Sequence, residues 1–576
     1  MVWEVDIMKY KLINEDIKNK NLLDIVYENR NITKDMVEKL LGANSEDYRS
    51  PFEIKNMESA VTFFQKVIKK EGLVVGILVD EDVDGFTSSA VLYQWLIEDI
   101  KHPLENIRVF TQKKAKAHGL KSEVFKDMLN SNVDLFIIAD SSSNDIEEQK
   151  QLLSLNKQLI ILDHHMYEHD ELVEGVHLVN NQLEQNESSC LSGVGVVGQF
   201  IRACGYSIDK YSDLIAVGLV ADSMDMTNVQ NKAYVNEGLS NLNNDLIKEF
   251  FKEIKEPTMT NVSWDCANFM NSVIRYGNKE EKGLLWKAIT NQEGTVEYKN
   301  KKGEIQQQTL QEGFKRIAQN VKNRQNSAIK RAFKKVEEYI YKNKLEKNKV
   351  IIVINDNLLE HSLTGIVAQK LIGSYKRPIM IVNPYKDEYS GSVRSPFDFK
   401  DMLDESGLVT FAQGHNQAFG TSFPKENIDE LTKYFNVKLK DYNAEENIYD
   451  VDYIFNSKEL KLEDVKEIAN MCKLWGKSIE EPTFIVKNIS IESIKITHKK
   501  EGFCYVTQFT CNGVYFKKVF SSQKVFEEIT RKSEMKFGRS QQLDICVLVK
   551  FKKNEKGFYY AEIQDFNSNK SNKVVF

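Results

Sequence analysis

Across 576 residues the chain has only eight prolines, and its seven cysteines include no C-x-x-C pair. Cysteines 190, 204, 266, 472, 504, 511 and 546 are odd in number and cannot all pair within the chain. That excludes a disulfide scaffold and predicts a reducing, cytoplasmic setting. No apolar run reaches the roughly 18–20 residues that span a bilayer, so no membrane association is expected. The opening MVWEVDIMKYKL has no secretory apolar stretch. A G-x-x-x-x-G-K-[ST] loop is absent as well, which excludes a P-loop nucleotide enzyme. Arginine is scarce, at 12 of 78 basic residues.

What remains is ordinary globular material, 41% hydrophobic and 28% charged, long enough for three or four domains at about 150 residues each. The net charge of −6 is unevenly spread. Residues 483–576 carry 17 Lys/Arg against 9 Asp/Glu, and residues 311–350 carry 12 against 4. An acidic body with two basic segments suits cations in one place and a polyanion in others. Lysine-rich faces also occur simply as solvated surface.

Residues 1–70 read as amphipathic helix, clearest in DMVEKLLG and SAVTFFQKVIKK. From 73 onward short apolar runs alternate with helical stretches. LVVGILVD (73–80), DLFIIAD (134–140), QLIILDHH (158–165) and DLIAVGLVAD (213–222) each end in acidic or histidine residues. Such runs fit buried parallel strands of a doubly wound α/β sheet, although the last fits a buried helix equally well. One long polar helix is expected over about 308–345. A second α/β unit follows from KVIIVIND (349–356) to about 430, with Gly-containing turns at GSVRS and QGHNQAFG. After about 483 the pattern becomes alternating, as in FCYVTQFTCNGVYFKKVF, which predicts a small antiparallel barrel or sandwich. The division expected is 1–70, 71–305, 306–348, 349–435 and 436–576.

The chemistry lies in Asp80-x-Asp82-x-Asp84-Gly85, then Asp140, then Asp163-His164-His165, then Asp222. If these residues converge at strand ends they form the ligand crevice of an open α/β sheet. Carboxylates gathered without cations repel one another, so a metal is the natural compensation. Oxygen donors with one or two imidazoles suit Mn²⁺ or Mg²⁺ better than a thiolate-rich zinc site. Two such ions serve phosphoester hydrolysis. Any one of these elements alone is more often a helix cap or a packed histidine; it is the ordered series that points to a site.

The series resembles the successive motifs of the DHH phosphoesterase superfamily. LSGVGVV (191–197), Asn271-x-x-x-Arg275, TGIVAQKL (364–371), GSVRS (391–395), GHNQAFG (414–420) and LWGKSIEEPTF (474–484) resemble its RecJ-type single-strand-specific DNA exonucleases. The resemblance implies a DHH domain and a DHH-associated domain joined by a long helix, with an oligonucleotide-binding-type β-barrel at the end. It implies Asp82, Asp84, Asp140, His164 and Asp222 as ligands of two Mn²⁺ or Mg²⁺ ions, Asp140 bridging, with Asp80 and His165 assisting. It places Arg394 and Ser395 in a 5′-phosphate pocket, and Asn271, Arg275 and His415 along the substrate backbone. The activity implied is 5′→3′ hydrolysis of single-stranded DNA in repair and recombination, alongside a single-strand-binding protein or helicase. The alternatives are a phosphodiesterase for short oligonucleotides or cyclic dinucleotides, and an inactive single-strand-binding scaffold.

The sequence departs from that family in places. Leu78 stands where many relatives have His, Lys113 where they have a phosphate-clamping Arg, Ala117-His118-Gly119-Leu120 where they have Gly-Tyr-Gly-Leu, and Gln413 where they have Gly. These changes touch substrate grip and would suit a phage or mobile-element copy. Phe503, Tyr505, Phe509, Tyr515, Phe516, Tyr559 and Tyr560, interleaved with lysines, are candidates for base stacking, about half of them as barrel core instead.

Overall fold

The computed structural model describes residues 9–17, 20–112, 118–184, 186–300, 302–442, 448–490, 497–501, 504–520 and 543–570. Lys113, Ala117 and Phe503 lie outside them.

The N-terminal segment is helical as its pattern predicts. Asn21 and Thr33 cap helices α1 (Leu22–Glu28) and α2 (Lys34–Gly42) by accepting from the backbone N–H groups of Asp24 and Met36. Helix α3 (Met57–Val67) turns Ala60, Val61 and Phe64 inward. A strand that the pattern does not show, β1 (Lys9–Leu12), pairs in parallel with a late strand at Ile448–Val451.

Five parallel strands follow: β2 (Val75–Val79), β3 (Ile107–Thr111), β4 (Leu135–Ala139), β5 (Gln158–Asp163) and β6 (Val176–Asn180), in the order β3-β2-β4-β5-β6. Every residue of β2 and β4 is buried, which is why these strands read as unbroken apolar runs. Helix α4 (Val83–Glu98) leaves β2 through the acidic motif and is buried over most of its length. Residues 213–222 form no strand. They lie in the helix Ser212–Ala221, buried continuously from Ser212 to Leu219, and at its C-terminal cap. A helix covered on all sides shows no polar face, so its 3.6-residue period is hidden.

A hairpin of β7 (Thr295–Lys299) and β8 (Ile305–Thr309) leads into the long helix Leu310–Lys342, capped by Thr309 and Glu312. Phe314, Ala318 and Val321 of this helix belong to the core of the first lobe, whereas Ala332, Val336 and Ile340 belong to that of the second. One rigid element thus spans both. The second sheet contains β9 (Ile351–Ile354), β10 (Ile379–Tyr385), β11 (Glu388–Arg394), β12 (Phe411–His415) and β13 (Ala418–Pro424), ordered β12-β13-β11-β10-β9. The expected turn at GSVRS is instead the body of β11. Its glycine is needed for close strand packing, because a Cβ at Gly391 would stand 2.1 Å from the Ile381 carbonyl oxygen.

The last sheet is built from β15 (Tyr453–Asn456), β16 (Phe484–Ser490), β17 (Thr497–Glu501), β18 (Cys504–Cys511), β19 (Val514–Phe520), β20 (Leu543–Lys553) and β21 (Tyr559–Lys570); β14 (Ile448–Val451) is the partner of β1. Its order is β15-β16-β20-β21-β19-β18-β17, and among the described residues the two end strands do not pair with each other. The sheet is open and mixed, with parallel pairs at β15–β16 and β19–β21, so the expected closed barrel is not found there. Phe509 and Phe516 stack at 4.8 Å inside its core and are not presented to a ligand. Val26, Tyr27, Val37 and Leu40 share that core with Trp475, Phe484 and Val549, which seats α1 and α2 against the C-terminal sheet. Among the described residues no helix is long and apolar enough to cross a membrane.

Candidate metal and phosphodiester site

The acidic and histidine residues meet at the carboxyl ends of β2, β4 and β5. Asp80 follows β2, Asp82 caps α4 by accepting from Gly85 N at 2.9 Å, and Asp84 lies in the first turn of that helix. Asp140 follows β4 in a left-handed conformation with φ 64°. Asp163 ends β5 ahead of His164 and His165, and Asp222 caps the C-terminus of the helix Ser212–Ala221. Donor atoms converge within 4.8 Å in three sets: Asp140 with His164 and His165, Asp84 with His164 and Asp222, and Asp80 with Asp82 and Asp140.

The LSGVGVV motif makes room for this cluster and grips it. Asp84 accepts from Ser192 Oγ (3.0 Å), Gly193 N (2.7 Å) and Val194 N (3.3 Å), at the N-terminus of the helix Gly193–Ala203. A Cβ at Gly193 would stand 2.5 Å from Asp140 Cβ, and one at Gly218 would stand 2.5 Å from Asp84 Oδ1. The two glycines are the space the carboxylates occupy.

Burial raises the carboxyl of Asp84 to about 6 and that of Asp222 to about 8, and neighbouring carboxylates add to both. Asp140 is raised well above the ordinary range, by burial first and then by Asp84. Its Oδ1 is buried without a hydrogen bond, although His164 Nε2 lies 3.1 Å away. Burial, and then His165, push His164 down to about 4, which keeps its ring neutral, the form in which an imidazole can bind a metal. An orphaned carboxylate oxygen, repelling carboxylates and a neutral imidazole, with no cysteine among the converging sets, fit a hard divalent cation. Asp163 has another part. Burial alone would raise its carboxyl, but it accepts from His165 Nδ1 at 2.8 Å and from the backbone N–H groups of His164 and Ser143, and it sits far below the usual range. It fixes the His165 ring and the backbone of His164.

A cavity of about 410 Å³ lies between the lobes, lined by Asp80, Asp82, His118 and Arg275 from the first lobe and by Arg394 and Gln413 from the second. Burial, then Arg275, lower the Arg394 guanidinium from its ordinary value. Asn271, one helical turn before Arg275, has a buried Oδ1 with no hydrogen bond. Ser395 and His415 are not among the described residues lining this cavity: Ser395 is buried and accepts from Phe397 N, and His415 is exposed at the end of β12. Sequence reasoning did not assign His118 to the site. Its Nδ1 is 2.8 Å from Asp80 Oδ2 and its ring is 4.9 Å from that of His165. The only sign of it in the sequence was the altered Gly-Tyr-Gly-Leu turn.

Residues 74–219 match the model of the DHH family, N-terminal domain. Over 544 residues the chain is 30% identical to YorK of Bacillus subtilis (strain 168), a protein named as an SPbeta prophage-derived single-strand DNA-specific exonuclease, covering 91% of this chain and 92% of that one. The chain belongs to the RecJ-type family of DHH proteins. Two solved structures of RecJ from Thermus thermophilus share this fold. The complex with Mn²⁺ has a TM-score of 0.68 at 16% identity, covering 96% of this chain and 76% of that one. The complex with Mg²⁺ has a TM-score of 0.62 at 15% identity, covering 96% and 75%. This chain carries Asp80, Asp82, Asp84, Asp140, Asp163, His164, His165 and Asp222 together with the second α/β lobe and the C-terminal sheet.

Proposed function

We propose that the protein is a metal-dependent exonuclease that removes nucleotides from single-stranded DNA in the 5′→3′ direction. The observation that carries this reading is one cleft that holds the carboxylate–imidazole cluster together with two arginines, Arg275 of the first lobe and Arg394 facing it from the second. Asp82, Asp84, Asp140, His164 and Asp222 would hold two divalent ions, which supply Lewis-acid activation of water and of the phosphodiester. Asp163 keeps the His165 imidazole in place, and Arg394, held by its bond to the Val393 carbonyl, presents a planar fork suited to a terminal phosphate. The likeness to YorK over nearly the whole chain supports single-stranded DNA, rather than a short oligonucleotide or cyclic dinucleotide, as substrate.

In this reading residues 71–305 are catalytic, 349–435 bind the strand terminus, 436–576 guide the strand, and 306–348 join the lobes. Incubating 5′- and 3′-end-labelled single- and double-stranded DNA with Mn²⁺, Mg²⁺ or EDTA tests it. Expected is stepwise, metal-dependent release of mononucleotides from the 5′ end of single strands only. Equal digestion of duplex DNA, or release from the 3′ end, would overturn the proposal.

A further inference from the structure

A second cavity, of about 550 Å³, opens on the other side of Asp222, between the catalytic lobe and the C-terminal sheet. Its wall includes Val220 and Ser223, on either side of Asp222 in the chain, together with Lys477. Trp264 stands on this wall with 67% of its surface exposed, near Met224, Met259 and the buried Trp475. It rides on a π-helical turn, Val262–Ala267, which continues directly into the helix Asn268–Tyr276. Such turns are rare and recur at functional sites. Arg275, eleven residues further along, lines the first cavity, so one element runs for about 16 Å from one cavity to the other.

We propose that Trp264 is a base-stacking platform for the strand beyond the scissile phosphate, with Lys477 beside it on the phosphate backbone. The inference rests on the exonuclease reading and adds a subsite to it. A strand whose terminal phosphate meets Arg394 must leave the carboxylates on the opposite side, and there an exposed indole offers its face to any base. The C-terminal sheet lies in the same direction: Lys550 of β20 is on the cavity wall, paired at 3.4 Å with Glu481 of the same wall, whereas Lys477 makes no such ion pair among the described residues.

The test measures binding of 5′-phosphorylated oligo(dT) of 3 and 12 nucleotides to the full chain in EDTA, by anisotropy, for wild type, Trp264→Phe and Trp264→Ala. Trp264→Ala should weaken 12-mer binding about tenfold, within the range of one aromatic–base stack, and change 3-mer binding less than twofold. Trp264→Phe should retain most of the 12-mer affinity, and the quenching of tryptophan fluorescence by the 12-mer should shrink in both variants. Unchanged 12-mer affinity in Trp264→Ala, or equal loss on both lengths, overturns the subsite and leaves the exonuclease reading intact. A wild-type protein that binds no single strand overturns both.

Discussion

His118 Nδ1 lies 2.8 Å from Asp80 Oδ2, while the backbone N–H of Gly119 donates to Asp80 Oδ1 at 3.0 Å. Both oxygens of the first acidic residue in the motif are thus engaged by one turn at the rim of the cleft. The His118 imidazole accordingly titrates high: burial lowers it, but Asp80 outweighs that and raises it to about 9. With both oxygens engaged, Asp80 is expected to shape the cleft rather than to hold an ion, although it converges with Asp82 and Asp140. Asp80→Asn keeps an acceptor for Gly119 but loses the charge facing His118. We expect kcat/KM to fall tenfold or more while Mn²⁺ affinity, read by calorimetry, stays within about threefold. Asp140→Ala should instead lose Mn²⁺ binding. Loss of an ion from Asp80→Asn would make Asp80 a ligand.

Gly193→Ala tests the packing of the cluster without altering its charge. The added methyl would meet Asp140 Cβ and Oδ1 at 2.5 Å, and Asp140 already holds a left-handed backbone. The collision should displace Asp140 or the helix N-terminus that binds Asp84, at a cost of about 1–3 kcal/mol in stability. Activity should drop at least a hundredfold, with single-strand binding in EDTA retained. Near-normal turnover would mean that the carboxylate position is not critical.

The acidic series was legible because each member follows an apolar strand or helix, and the parallel sheet was legible because its strands are buried on both faces. The helix ending at Asp222 was not fixed by pattern, since complete burial erases its period. The place of GSVRS in β11 was hidden because its glycine, which signals a turn, serves close strand packing at Ile381. His118 escaped because a lone histidine gains its meaning only from Asp80, which is distant in sequence. The seating of α1 and α2 on the C-terminal sheet depends on contacts across the whole chain, and no local pattern encodes them.

Arg394 and Arg275 face the same cavity, and the charge of Arg275 adds to the cost of keeping the Arg394 guanidinium buried and charged; a phosphate dianion between them would relieve this. Arg394→Ala should lower kcat/KM on 5′-phosphorylated strands about tenfold or more, and much less on 5′-hydroxyl strands. Matched oligonucleotides decide it: equal losses would reduce Arg394 to a support for β11.

Arg30 joins the two ends of the chain. It donates to Asp452 through Nη1 (2.5 Å) and Nη2 (3.1 Å) and to the Glu480 carbonyl through Nε (2.6 Å), and the Asp452 side chain is 1% exposed. Removing the guanidinium leaves a buried carboxylate facing only Asn29 and the Thr483 N–H. Arg30→Ala should cost about 3–5 kcal/mol, whereas Arg30→Met combined with Asp452→Leu should recover most of it. Denaturant titration of the three proteins checks this.

Lys232 is the clearest source of pH-dependent stability away from the metal cluster. Its side chain is 1% exposed in the helix Val229–Ser240, and its Nζ donates to the Lys473 carbonyl at 2.6 Å. Burial, and then the charge of Lys473, lower its ammonium from 10.5 to about 8. The folded state therefore holds this proton less tightly than the unfolded chain does. Between about pH 8 and 10.5 the unfolded chain binds more protons, so this residue adds stability as pH rises through that window and withholds it below pH 8. Integrated over the window, the shift corresponds to about 3 kcal/mol. Lys232→Met fills similar volume without charge and gives up one hydrogen bond worth about 1 kcal/mol. At pH 7 the variant should therefore match or exceed wild type, and its advantage should shrink by about 2–3 kcal/mol on going to pH 10. Urea unfolding of both proteins at pH 7, 8.5 and 10 measures that difference, and groups common to the two cancel. A stability gap that does not change with pH would show that Lys232 keeps an ordinary ammonium in the folded protein.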